Sequence, residues 1–331
     1  MSVSRLTPAI DSDMVSLPPE GRIAVFRPRA GHDLSALPKD RVDIIQGFRP
    51  DHDAWATRGY SVSPVAGGRY AMSVVMIPRA KAEARALLAE AAARTSGLVV
   101  VDGQKTDGID SLLRECRKRV DPGEAFSKAH GKLFVFDAAS VFGDWAVGPE
   151  PGPEGFVTAP GVFSADRVDH GSRLLGACLP EKLGPLVADL GAGWGYLSAQ
   201  ILKRPLVTKL HLVEAEYAAL ECARLNITDA RARFHWADAT DFRLETPVDT
   251  IVTNPPFHTT RAATPDLGRA FISAAAAQLA PRGTLWLVAN RHLPYETALA
   301  AHFTEVEEAG GDSGFKVLTA RRPRAASRTS R

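Results

Sequence analysis

Cysteine is nearly absent from this chain: Cys116, Cys178 and Cys222 stand far apart, with no C-x-x-C pair and no Cys/His cluster. That excludes a disulfide framework and leaves no zinc pattern, so no metal is expected and all three read as small core or surface residues. Long apolar runs are lacking too. None approaches the roughly 18 residues of a membrane span, and the polar start Met1-Ser2-Val3-Ser4-Arg5 has no signal-peptide apolar region. A cytoplasmic protein with no membrane partner is the expectation. An excess of either charge is also missing. A net charge of +2 neither demands nor excludes a nucleic-acid partner, which would need a local basic surface. Candidates are Arg114, Arg117, Lys118 and Arg119 on one predicted helix, and Arg321-Arg322-Pro323-Arg324 followed by Arg328 and Arg331. A solvated helix face and a disordered tail are the plainer readings. A short basic segment can nonetheless neutralise phosphates without folding.

What is present begins with Asn254-Pro255-Pro256-Phe257, directly after the apolar run Thr250-Ile251-Val252-Thr253. Neither proline has an N–H to give a sheet ladder, so the strand stops where the Asn begins. In an open α/β sheet the carboxyl edge is where ligands bind. The Asn254 side-chain carbonyl and the carbonyls of a rigid Pro-Pro turn make a fixed cluster of acceptors suited to an NH2 donor. Phe257 adds a flat face on which a planar ring can stack, a contact worth about 1–3 kcal/mol per base in single-stranded nucleic-acid binders. A Pro-rich turn that merely closes a strand is the alternative.

Upstream, Leu186-Val187-Ala188-Asp189-Leu190 leads into Gly191-Ala192-Gly193-Trp194-Gly195 and a helix-compatible stretch. Alternate glycines let the backbone turn tightly and approach a ligand closely. The spacing is G-x-G-x-G, and no P-loop lysine follows, so neither a dinucleotide site nor a triphosphate cradle fits. Asp189 would repel a pyrophosphate but can hold a cationic amino-acid group, directly or through water. The next predicted strand, Lys209 to Val213, ends in Glu214, about twenty residues beyond the loop, the offset at which a carboxylate reaches ribose hydroxyls. A third, Ala232 to Ala237, ends in Asp238, which can accept from an adenine amino group. Each acid alone is also readable as a solvated loop charge. Together with the loop and the Asn-Pro-Pro-Phe motif they mark four ordered strand ends on one edge.

These motifs resemble the class I S-adenosylmethionine-dependent N-methyltransferases over roughly residues 155–322. The segment Gly161 to Leu175, together with Leu287 to Tyr295 and Gly314 to Leu318, narrows the resemblance to bacterial ribosomal RNA guanine-N2 methyltransferases, and within them to the small-subunit enzymes. The resemblance implies S-adenosylmethionine as cofactor and ribosomal RNA or a ribosomal subunit as partner. It further implies that Phe163 and Asp169 enclose the methionine end of the cofactor. Read alone, Phe163 is a hydrophobic staple and Asp169 a helix cap.

The chain is long enough for two domains. The break is expected in Val147-Gly148-Pro149-Glu150-Pro151-Gly152-Pro153-Glu154-Gly155, where alternating Gly and Pro argue against helix and strand alike. This separates a domain at 1–150 from a catalytic domain at 151–331 with a short basic tail. The first half also alternates strands and helices. Val74 to Pro78, an Ala-rich helix and Leu98 to Gly103 repeat the order of Ile251 to Pro256, an Ala-rich helix and Thr284 to Asn290. The fold expected is therefore α/β: two tandem Rossmann-like methyltransferase-type domains, the N-terminal one degenerate and serving RNA recognition or shielding. Coincidental α/β similarity is the alternative.

The chemistry expected is N-methylation of a guanine in ribosomal RNA, through positioning rather than a strong base, so His258 beside the motif shapes its loop. Rivals are methylation of an adenine or of a protein glutamine amide. Relatives of that kind usually carry Tyr where this chain has Phe257. A non-enzymatic RNA-binding assembly protein is the third possibility.

Overall fold

The computed structural model describes residues 5–256 and 265–324. The chain divides into two compact units, Met1–Glu150 with Ala159–Gly161, and Pro151–Thr158 with Val162–Arg331. Among the described residues no helix is long and apolar enough to cross a membrane.

The first unit is built on β1 (Ile23–Phe26), β2 (Val42–Ile45), β3 (Ser61–Ser63), β4 (Met72–Met76), β5 (Leu98–Gln104), β6 (Phe126–Lys128) and β7 (Gly131–Asp137), in the order β3-β2-β1-β4-β5-β7-β6. All neighbours are parallel except those of β7. Parallel sheets need both faces covered, and β1 and β4 are buried at every residue. Helices α1 (Leu6–Asp11), α2 (Arg49–Thr57), α3 (Lys81–Arg94) and α4 (Ile109–Cys116) flank it. α3 is alanine-rich, combining high helix propensity with side chains small enough to sit close to the sheet. No glycine loop follows β1. Arg27 stands there instead, in the left-handed region at φ 57°. Its guanidinium pairs with Glu83 at 2.8 Å. Beside it the buried Gln46 amide and the Trp55 indole both donate to the Pro28 carbonyl at 2.9 Å.

In the segment read as free of strand stands β8 (Glu150–Pro151), which forms a two-residue ladder with β9 (Val157–Thr158) just beyond it. Gly152 N–H donates to the Phe156 carbonyl at 2.7 Å. The prolines tolerate this short pairing because it is an isolated edge, not the middle of a sheet.

The second unit repeats the plan with β10 (Leu186–Leu190), β11 (Lys209–Glu214), β12 (Ala232–Trp236), β13 (Val248–Thr253), β14 (Leu279–Asn290), β15 (Phe303–Gly311) and β16 (Phe315–Pro323), in the order β12-β11-β10-β13-β14-β16-β15. Renumbered from one, this is the order of the first sheet. Its helices are α5 (His170–Cys178), α6 (Tyr196–Leu202), α7 (Tyr217–Asn226), α8 (Pro265–Gln278) and α9 (Tyr295–His302). The chain winds one way from β10 to β11 and the other way to β13, so the crevice between the carboxyl ends of β10 and β13 is the topological switch point. Register aligns those ends: Leu190 lies opposite Val213 on one side and Thr253 on the other. The Thr253 hydroxyl donates to the Leu190 carbonyl at 2.7 Å, holding the two exits together. The glycine loop, Glu214 and Asn254 therefore leave the sheet side by side.

The arginines read as a tail are partly strand. Arg321 and Arg322 lie in β16, facing Glu307 at 3.8 Å and Glu305 at 2.9 Å on β15. Arg324 donates to the carbonyls of Ala300 and Phe303. Opposite charges across antiparallel neighbours support the pairing. Arg328 and Arg331 lie outside the described residues. The other basic cluster is partly committed as well, since Arg119 holds Asp144 at 2.6 Å and stacks on Trp145.

In the first unit the buried pair Arg5–Asp102, at 2.5 Å with side chains 5% and 9% exposed, is a stability test. Burial pushes the Asp102 carboxyl up even though Arg5 opposes it, so removing the guanidinium alone strands an acid in apolar surroundings. Arg5→Met should cost about 3–5 kcal/mol in urea unfolding, and Arg5→Met with Asp102→Leu should recover most of the loss.

Candidate active site

Asp169 caps α5, its Oδ2 accepting the Ser172 N–H at 2.8 Å. That spacing satisfies one of the orphan donors of a helix start. The same Oδ2 accepts from Asn254 Nδ2 at 2.9 Å, and the Ser172 hydroxyl accepts from the same nitrogen at 2.8 Å. A carboxylate accepts only, which assigns the amide orientation of Asn254. Both of its N–H groups are thus committed, and its carbonyl oxygen is the end left to serve as an acceptor. A cleft lined by Phe163, Asp169, Gly191, Gly193, Trp194 and Asn254, among others, opens at this point. Pro255 is buried and Pro256 exposed. Phe257 and His258 lie outside the described residues.

The loop needs its glycines. Gly191, Gly193 and Gly195 take φ of 76°, 55° and 94°, the left-handed region that side chains with a Cβ rarely adopt. A Cβ on Gly193 would meet nothing within 4 Å, so the loop faces open space there. Glu214 ties the loop down: its Oε2 accepts the Gly193 N–H and its Oε1 the Glu216 N–H, each at 2.8 Å. Burial raises the Glu214 carboxyl, against those two hydrogen bonds. Asp189 is fully buried. Its Oδ2 accepts from the Ser198 hydroxyl at 2.7 Å, while Oδ1 has no partner. Burial pushes this carboxyl up to about 7, the Ser198 hydrogen bond opposing and the nearby Glu214 adding to the rise.

The remaining expected residues are less alike in placement. Phe163 is 63% exposed at the cleft, and its carbonyl accepts from the Trp194 indole at 2.9 Å. Asp238 follows β12 but is not on the cleft wall; its Oδ1 accepts from the Thr240 N–H and hydroxyl at 2.8 and 2.7 Å, forming a local turn. Sequence reasoning passed over Ser172, Ser198, Trp194 and Asn226. Asn226 Nδ2 donates to the carbonyls of Val157 and Trp194, both at 2.8 Å, and its Oδ1 accepts the Val157 N–H. Only Ser172 had a local signal, the D-x-x-S spacing of a capped helix.

Residues 154–319 match the family model described as the methyltransferase small domain. The chain belongs to that methyltransferase family. Among its relatives, a protein called ribosomal RNA small subunit methyltransferase C from Shewanella pealeana is 33% identical, covering 74% of this methyltransferase and 76% of the relative. Another of that name, from Shewanella sp. strain MR-7, is 30% identical over 87% and 92% of the two chains. A solved structure of the T. thermophilus 16S rRNA N2 G1207 methyltransferase, in complex with AdoMet and guanosine, superposes with a TM-score of 0.77 at 26% identity, covering 95% of this chain and 92% of that one.

Asp189 makes the stability of this methyltransferase depend on pH. Its folded value lies above the ordinary 3.8, so its contribution is full below 3.8 and is lost as pH rises through about 7. Between about pH 5 and pH 7 the wild type should lose stability relative to Asp189→Asn by up to about 1.4 kcal/mol per pH unit. Urea unfolding of both proteins across that window checks this, and parallel profiles would count against an Asp189 that protonates there.

Proposed function

We propose that this chain transfers the methyl group of S-adenosylmethionine to the exocyclic N2 amino group of a guanine in ribosomal RNA, the 16S RNA being favoured by the names of its relatives. The observation that carries the proposal is the double commitment of the Asn254 amide to Asp169 and Ser172, beside the glycine loop at the switch point.

The cofactor's chemistry fits the donor set. Its ammonium would meet the field of Asp189, whose buried Oδ1 lacks a partner. Glu214 keeps further lone pairs for ribose hydroxyls, Asp238 has its Oδ2 for the adenine amine, and the open side of Gly193 admits close approach. Phe163 and Asp169 would wall the methionine end. When bound, the cofactor would supply a sulfonium methyl, the new nitrogen–carbon bond replacing the carbon–sulfur bond, whose pair would stay on sulfur while water would take the amine proton.

The chain's own work is positioning. A guanine amine is a poor nucleophile because its lone pair is delocalised into the ring. The Asn254 carbonyl oxygen and the Pro255 carbonyl can accept its two N–H groups and favour a pyramidal nitrogen. Holding the reacting atoms in line is an entropic effect that lowers barriers by about 7–11 kcal/mol in favourable cases. Phe257 would stack on the base. A base inside a duplex cannot reach such a cleft, so the target is met unpaired or flipped. The first unit, which has Arg27 paired with Glu83 where the second has its glycine loop, would serve RNA recognition or shielding. A ribosomal subunit as partner and a cytoplasmic location follow from the same proposal.

Two variants separate the roles. Asn254→Ala should bind S-adenosylmethionine as the wild type does in calorimetry yet lose turnover by about 100-fold or more, the scale of one oriented polar group at a reacting centre. Retained turnover would remove Asn254 from the chemistry. Glu214→Ala should do the opposite, weakening cofactor affinity by about 1–3 kcal/mol, because it frees the Gly193 N–H as well as removing the ribose acceptor.

A further inference from the structure

In the second unit α6, α7 and α8 supply the connections from β10 to β11, β11 to β12 and β13 to β14, but the one from β12 to β13, residues 237–247, contains no helix. A parallel crossover usually lays a helix over the sheet. Without one, a cavity of about 380 Å³ opens where β10, β11 and β13 begin, at the end of the strands opposite to the cleft. Its wall includes Lys209, His211, Arg233, His235, Phe242 and Arg243. Glu245 is the one acid on that wall.

The cations are arranged rather than scattered. Arg233 donates through Nη1 to the carbonyls of Ala230 and Ala232, both at 2.7 Å, and Arg243 donates through Nη1 to those of Thr240 and Phe242 at 3.0 and 2.7 Å. One nitrogen of each fork is anchored and the rest of the fork is left over. Among the described residues neither arginine forms an ion pair, nor does Lys209. The His211 and His235 rings stack with centroids 5.1 Å apart and share a hydrogen bond of 2.9 Å between Nδ1 and Nε2. Phe242 packs on His235 at 4.8 Å. Such forks match the tetrahedral oxygens of phosphate.

We infer that this cavity is a second binding site, for the phosphate group of a ligand, with Lys209, Arg233 and Arg243 as its charged contacts and the histidine pair as its floor. Phosphate can come from the backbone of an RNA strand or from a small phosphorylated molecule; the RNA source rests on the ribosomal RNA reading, and the small-molecule source does not. Burial pushes the His211 imidazole down to about 4, with His235, Lys209 and Arg233 adding to the drop, and burial lowers His235 as well. A bound phosphate would oppose the part of that drop that comes from neighbouring positive charge and so raise both.

The test follows the imidazole C–H signals of the full-length protein by NMR. Inorganic phosphate and, separately, a single-stranded RNA oligonucleotide are titrated in, with RNA affinity measured against salt in parallel. If RNA is the ligand, it shifts the His211 and His235 signals and raises their titration midpoints. The exposed triple variant Lys209→Gln, Arg233→Gln, Arg243→Gln then loses about 0.7 of the logarithmic salt slope for each phosphate contact removed. Its KM for RNA rises while kcat holds. If inorganic phosphate alone gives a saturable shift in the wild type that the triple variant lacks, the site stands and its ligand is a small phosphate compound. Histidine signals unmoved by both ligands in the wild type overturn the inference, whatever the methylation assay shows.

Discussion

One carboxylate oxygen, Asp169 Oδ2, joins two elements that the chain order keeps far apart. It caps α5 through the Ser172 N–H and fixes the Asn254 amide at the end of β13. A short polar side chain after a strand would otherwise rotate freely and offer its oxygen or its nitrogen with little preference. Here the acceptor-only chemistry of a carboxylate decides which end faces outward. Glu214 does the same for the neighbouring exit, taking the Gly193 N–H and holding the loop in its left-handed path. The cleft is therefore preorganised by two acids whose hydrogen bonds run to the protein itself.

The two sheets share one strand order, yet the family match and the glycine loop belong to the second alone. After β1 the chain has Arg27-Pro28 where β10 is followed by a glycine loop. There an arginine salt-bridges to Glu83 on the helix after β4, and a glutamine and a tryptophan from the chain after β2 converge on the Pro28 carbonyl. After β4 comes Ile77-Pro78, with a single proline and no Asn. The topology survives because it rests on apolar strands and an alanine-rich helix, whereas a cofactor site rests on a handful of loop residues.

Much of this was legible in the sequence, for a physical reason. Buried parallel strands are uninterrupted apolar runs, and their exits are marked by residues that cannot continue a ladder, so β10, β11 and β13 announce both themselves and the edge they share. The match of the first half to the second was legible on the same grounds. The end of β16 was not, because Arg321 and Arg322 read as the start of a basic tail until their ion pairs to Glu307 and Glu305 on β15 are seen. Nor was the character of Asp189. An acid at a strand end looks like a loop charge, and its full burial depends on the helix that brings Ser198 over it. Asn226 gave no local signal, since its partners lie 32 and 69 residues away in the chain.

The most direct test of the account is the identity of the product. The wild-type protein is incubated with S-adenosylmethionine and either unmodified ribosomal RNA or ribosomal subunits, and the RNA is digested to nucleosides for mass spectrometry. The account predicts N2-methylguanosine, formed in the 16S RNA. A methylated adenosine in its place would contradict the substrate assignment, and label that enters protein alone would contradict the RNA function itself.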